Sequence, residues 1–158
     1  MTSATAAKFP QLSNFDTSNV EWMDYEEDPR FDYPINYSIA ILGASRESGT
    51  VDFLGRWAPN CYCHFHRHVG DTTSLIIEGE HHTVETVNGE SIHKVRVAGD
   101  YAQKPGGDVH MEYAGPEGSL VFFSMKAVDG KLFEVLGNEE KVLAAGTYED
   151  FLTGNLFG

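Results

Sequence analysis

Residues 99 to 114 read "GDYAQKPGGDVHMEYA". Two breaks, Gly99-Asp100 and Pro105-Gly106-Gly107, bracket a four-residue run, and a second run opens near His110. Gly and Pro at such close intervals leave room for strands and turns but not for helices. The same texture extends outward in both directions from about residue 34, through "INYSIAIL", "TVDFLGRW", "CYCHFHRH", "TSLIIEG", "HHTVETV", "SIHKVRV", "SLVFFSM" and "LFEVLG". "VNGE" and "VDGK" predict tight hairpins, because Asn-Gly and Asp-Gly supply the two φ > 0 positions of a type I′ turn. The fold class is therefore all-β, a sandwich or barrel. Only "EEKVLAAGTYEDFLTGNL" reads as helical, and Gly146 divides it. Residues 1–33 form a polar, acidic arm with room for one short strand, 34–135 the barrel, and 136–158 a tail with a short helix.

The bulk composition narrows the function. The 158 residues suit one domain, and 41% apolar with 12% aromatic residues can fill a core. Eleven basic against 24 acidic residues give a formal charge of −13. A chain this acidic repels nucleic acid and anionic lipid, and no Lys/Arg cluster interrupts the pattern. The opening "MTSATAAKFPQLSNF" has no apolar core of a signal sequence and no run is long enough to span a bilayer, so a cytoplasmic location is expected. Cys61 and Cys63 cannot staple a small secreted fold, which agrees with a reducing compartment.

"CYCHFHRH", residues 61–68, concentrates the chemistry. Read as one strand, it puts Tyr62, His64, His66 and His68 on one face and Cys61, Cys63, Phe65 and Arg67 on the other. The apparent Cys/His cluster thus separates into two sets, and no later cysteine exists to complete a zinc finger. The cysteines are expected to be small, buried, reduced core residues. Histidines at i and i+2 on one strand can chelate a single cation side by side. His81, His82 and His93 read as solvated.

The spacing of these residues resembles the cupin superfamily, whose two signatures are G(X)5HXH(X)3-4E(X)6G and G(X)5PXG(X)2H(X)3N. Gly99, Pro105, Gly107 and His110 occupy their places in the second, with Ala114 in place of the final Asn. In the first, Gly79 closes the pattern and His66 and His68 form the His-x-His pair, with Asn60 in place of the opening Gly and Thr72 in place of the Glu. The resemblance implies a double-stranded β-helix, a jelly-roll-like barrel, with His66, His68 and His110 converging on one divalent metal ion.

Thr72 is too short to replace the family's glutamate, so the expected site is three neutral imidazoles without a carboxylate. Such a site leaves the ion its full +2 and favours an anionic oxygen chelate. The three-histidine cupins that lack the Glu include the acetylacetone-cleaving dioxygenase and 2,4′-dihydroxyacetophenone dioxygenase. The resemblance to them implies a non-haem Fe(II) oxidoreductase that cleaves a carbon–carbon bond of a β-diketone or hydroxyketone enolate with O2. Zn, Ni, Mn and Cu suit the same ligands, so an isomerase, cyclase or lyase, or a non-catalytic binding cupin, is the alternative. His64 and Glu112 share the strand faces of the ligands and are the candidates to assist catalysis. Neutral imidazoles also predict metal loss as pH falls through roughly 6. The expected partners are a small ketone and O2, with a homodimer or homotetramer as the assembly.

Overall fold

The computed structural model describes residues 15–154. Ten strands follow in order: β1 Met23–Glu26, β2 Asn36–Ser45, β3 Thr50–Trp57, β4 His66–His68, β5 Thr72–Val87, β6 Glu90–Val97, β7 Tyr101–Lys104, β8 Val109–Lys126, β9 Lys131–Leu136 and β10 Val142–Thr147. A short helix, α1 (Tyr148–Thr153), closes the described chain. The sheet runs β1-β2-β3-β8-β4-β9-β10, while β5 pairs with β6, β7 and β8. The named strands pair antiparallel, and the sheet curls into a half-barrel, the cupin-like jelly roll predicted from the sequence. Among the described residues no helix is long and apolar enough to cross a membrane.

β5 and β8 hold this shape. They are 16 and 18 residues long and pair from Thr72↔Met125 to Glu85↔His110, with register shifts on either side of Gly79. "TSLIIEG" and "HHTVETV", which read as separate strands, are thus two arms of one bent strand. The same holds for "HMEYAG" and "SLVFFSM" in β8. At the bend Gly79 has φ +83°, and a Cβ there would stand 2.2 Å from the Gly118 carbonyl oxygen. The two strands can cross this closely only because that side chain is absent. The opening-glycine position of the first signature, Asn60, also has a positive φ of 58°. Asn is among the few residues that tolerate it, so the departure from Gly keeps the backbone requirement.

The hairpins form as expected. Asn88 and Gly89 have φ 52° and 80°, and Asp129 and Gly130 have φ 51° and 79°. The tail differs from its prediction. Val142–Thr147 is not helical but a strand that pairs with β9. The open edge of β9 supplies hydrogen bonds that outweigh local helix preference. Helix α1 then starts at Thr147, whose side chain caps Asp150 while Asp150 caps back. The helix drives Phe151, 1% exposed, between Phe53 and Phe133 at centroid distances of 5.3 and 5.6 Å. Burying that ring contributes about 2–3 kcal/mol and plugs one end of the barrel.

Apolar side chains of β2, β3, β8 and β9 fill the interior, among them Val51, Phe53, Phe123, Met125 and Val135. Of the apolar residues on the closing strands, Ile76, Phe123 and Met125 face inward. Phe122 instead packs on an outer cluster with Leu54 and Leu120. Gly79→Ala is expected to lower stability by at least about 2 kcal/mol, since it combines a disfavoured φ with a backbone clash. Chemical denaturation of the variant checks this, and a midpoint equal to that of the natural chain would contradict the close crossing.

Candidate metal centre

The centre is built from two neighbouring strands. β4 is only three residues long yet is paired on both sides, with β8 through His66↔His110 and with β9 through His66↔Val135. His66 and His68 point to the same side by alternation, as do His110 and Glu112 on β8. A His-x-His on one strand therefore lies beside a His-x-Glu on the next, all four side chains buried. Their donor atoms lie within 4.8 Å of one another.

The three Nε2 atoms form a triangle with sides of 3.0, 3.1 and 3.1 Å. Glu112 Oε2 is 3.3 Å from Nε2 of His66 and 3.2 Å from Nε2 of His110. Each Nδ1 faces an acceptor outside the triangle. For His66 it is the His64 carbonyl at 2.6 Å, for His110 the Asp108 carboxylate at 2.8 Å, and for His68 the Thr72 hydroxyl at 3.2 Å. A proton on each Nδ1 satisfies these bonds and leaves every Nε2 bare. Four lone-pair donors then meet with no hydrogen between them, an arrangement that favours a shared cation. Ligand atoms about 2.1 Å from a shared ion lie roughly 3.0 Å apart when they subtend about 90°, and about 3.4 Å apart at the tetrahedral angle. The observed spacings of 3.0–3.3 Å are those of donors that could share one ion. The residues present therefore fit one divalent ion held by three histidines and one glutamate.

Glu112 corrects the expectation of a carboxylate-free site. The carboxylate stands on β8 and not at the β5 position of the sequence signature, where Thr72 bonds the outer nitrogen of His68. His81 is a second correction. Expected in solvent, it is fully buried, with Nε2 2.9 Å from Glu112 Oε1 and Nδ1 2.9 Å from Ser119 Oγ. Trp57 covers its ring edge-on at 4.5 Å. His81 thus donates to the carboxylate oxygen that faces away from the triangle. Alternation along β5 is reset by the bulge at Gly79, which turns His81 inward and defeats a reading by simple periodicity. His82 and His93 lie on the outer surface, 2.8 Å apart through Nδ1 and Nε2.

His64 stands outside the triangle. Its ring nitrogens meet the Tyr37 hydroxyl at 2.8 Å and Asp28 of the N-terminal arm at 3.1 Å, and it reaches the centre through its carbonyl. The cysteines depart from the strand reading because residues 63–65 lie outside β4 and do not continue its ladder. Cys63 is buried with Sγ 3.8 Å from His66 Nδ1, beside the centre and not across the sheet from it. Cys61 is half-buried. Burial pushes both thiols up, and Cys63 Sγ meets the Nδ1 side of His66, away from the triangle of Nε2 atoms.

Without an ion, protons take its place. Burial opposes charge on His66 and His110, but Cys63 and Glu112 beside the first and Glu112 and Asp108 beside the second outweigh it and raise both to about 9. His68 is held well below its ordinary value by burial and by its two histidine neighbours. For Glu112, burial is overcome by His110 and by hydrogen bonds from His66 and His81, which keep its carboxyl well below the usual range.

The centre divides the barrel interior in two. On one side is an apolar cavity of about 60 Å³ between Phe53, Phe123, Met125, Phe133 and Phe151. On the other a polar cleft of about 340 Å³ opens past Thr72, Ser74, Thr83 and Asp108.

No protein-family model and no curated protein matches the chain. Solved structures do match it. An acetylacetone dioxygenase from Acinetobacter johnsonii is 14% identical, with a TM-score of 0.65 over 93% of this chain and 91% of that one. An RmlC-like cupin protein from Ralstonia eutropha JMP134 is 13% identical, with a TM-score of 0.66 over 92% and 85%. A cupin-2 domain protein from Rhodospirillum rubrum is 15% identical, with a TM-score of 0.64 over 92% and 96%. At such identities the shared property is the fold.

Glu112→Gln is expected to weaken metal binding by at least about tenfold, read by competition with a chromophoric chelator. Unchanged affinity would mean that three imidazoles suffice. The ion must displace the protons that His66 and His110 hold below about 9. Apparent affinity should therefore level off above that pH and fall by more than about tenfold per unit beneath it. This places the onset well above the 6 expected from ordinary histidines. Affinity that stays constant between pH 9 and 7 would contradict the competition.

Proposed function

We propose that the chain is a non-haem Fe(II) dioxygenase that cleaves a carbon–carbon bond of a β-diketone or α-hydroxyketone bound as its enolate. The observation that carries this reading is the convergence of three imidazole nitrogens and the Glu112 carboxylate, with an apolar cavity at their side. The fold likeness to an acetylacetone dioxygenase supports it.

Charge selects the substrate. A divalent ion with Glu112 bound retains +1, so a singly charged enolate brings the buried centre to neutrality. When bound, the ion would supply Lewis acidity to the enolate oxygens and an electron path to O2. The protein does the rest. His66, His68 and His110 hold the centre, and their Nδ1 partners fix which nitrogen is bare. His81 pins Glu112 through Oε1 and keeps it from turning into the cleft. Glu112, with its depressed carboxyl, is a weak base. The substrate should therefore arrive as its acidic enol or shed its proton to water in the cleft. The aromatic cavity keeps water from the reacting carbon and has room for a diatomic gas or a methyl group. With a β-diketone, one O2 and one broken C–C bond balance as a carboxylic acid plus an α-oxoaldehyde, each taking one oxygen atom.

The test is anaerobic loading with Fe(II), then oxygen-electrode traces with a panel of β-diketones and α-hydroxyketones under ¹⁸O₂. One O2 should disappear per substrate, with label in both products, and His68→Ala should lose at least about 100-fold in rate while keeping its β-rich circular dichroism. Isomerised or cyclised product without oxygen uptake would replace this reading with Lewis-acid chemistry.

A further inference from the structure

The polar half of the barrel shows what else the substrate carries. Most inward positions of the barrel strands are apolar, but β5 turns Thr72, Ser74, Thr83 and Glu85 inward, each 6–8% exposed. Buried hydroxyls and carboxylates need polar partners, and a wall of them around a cleft of about 340 Å³ suits a polar occupant. The charges sharpen the point. The whole chain has only 11 Lys and Arg, yet Lys94, Arg96 and Lys104 all line this one cleft.

The acids of the cleft are already engaged. Glu85 pairs with Lys104 at 2.8 Å and lies 3.8 Å from Lys94. Asp108 accepts from His110, and Asp100 accepts the Val97 N–H at 3.0 Å. Arg96 differs. Its guanidinium donates only to neutral oxygens: Ser74 Oγ at 2.8 Å, the Ser74 carbonyl at 3.5 Å and the Asp100 carbonyl at 3.2 Å. Among the described residues no carboxylate pairs with it, so it is fixed in direction but keeps its charge and part of its five-donor fork.

We propose that the substrate carries a carboxylate remote from its chelating oxygens and that Arg96 receives it, making the substrate class an oxo acid and not a neutral ketone. This rests on the function proposed above. In a protein of charge −13, a held guanidinium inside the cleft gives an anionic arm a local reason to enter against the overall field. The planar fork suits a carboxylate, and the neighbouring lysines add to its potential.

The test uses the metal-loaded protein and a matched pair of β-diketones, 4,6-dioxoheptanoate and neutral 2,4-heptanedione, with affinities read by calorimetry without O2. The carboxylated member should bind at least about tenfold tighter, and added salt should shrink the difference. Arg96→Gln should reduce the affinity ratio below about threefold, whereas Arg96→Lys should keep most of it. A ratio near one in the natural chain, a ratio that survives Arg96→Gln in folded protein, or no binding of 4,6-dioxoheptanoate would each overturn the proposal. Oxygen uptake is measured separately, so diketones that bind with the predicted ratio but are not consumed refute the dioxygenase reading and leave the carboxylate seat standing.

Discussion

The antiparallel pairing of β4 with β8 is the constraint on which the site depends. It places His66 opposite His110 and so sets two chelating pairs side by side on one inner face. Three residues of strand would not hold that register alone. β9 on the other side, and the close crossing of β5 over β8 at Gly79, make the register over-determined. The outer nitrogens of the histidines are then locked by groups that belong to the same strands or their immediate turns. The result is a cluster of acceptors whose mutual repulsion is tolerable only around positive charge, whether protons or an ion.

Much of the barrel was legible because its signals are local. Asn88-Gly89 and Asp129-Gly130 announce their turns by residue type alone, and the Gly99–His110 spacing is short and fixed. The convergence of His66, His68 and His110 was implied by the cupin resemblance that this spacing carries. Glu112 was legible only in part. Its place two residues after His110 repeats the His-x-His interval, but periodicity alone cannot tell an inner face from an outer one. His81 was illegible because a bulge lies between it and the residues that establish the face. Cys63 was misplaced for a related reason: the regular strand begins only at His66, so alternation could not be carried across the residues before it. Val142–Thr147 shows a different limit, since its partner is 6–16 residues away and its own composition favours a helix.

The two cavities flanking the centre have opposite chemistry because the strands behind them differ. β3 and the Ser119–Lys126 arm of β8 contribute Phe53, Phe123 and Met125 to the first, while β5 contributes hydroxyls and a carboxylate to the second. A ligand that bridges them would have one end in a medium that excludes water and the other among dipoles and charges. Reactive carbon and solvated anion can thus occupy one pocket without sharing one dielectric.

The placement of the carboxylate at Glu112 and not at the Thr72 position has a consequence for how such a protein can change. With every donor on β4 and β8, β5 supplies no metal-binding atom; it steadies the centre at two positions, through the Thr72 hydroxyl on His68 and through His81 on Glu112. Away from Thr72 and His81, substitutions along β5, and on the β6 and β7 strands that hang from it, can therefore reshape what enters the cleft while the inorganic part of the machine stays intact. Reactivity and recognition are inherited on separate strands, so one can drift while the other is conserved by its own geometry.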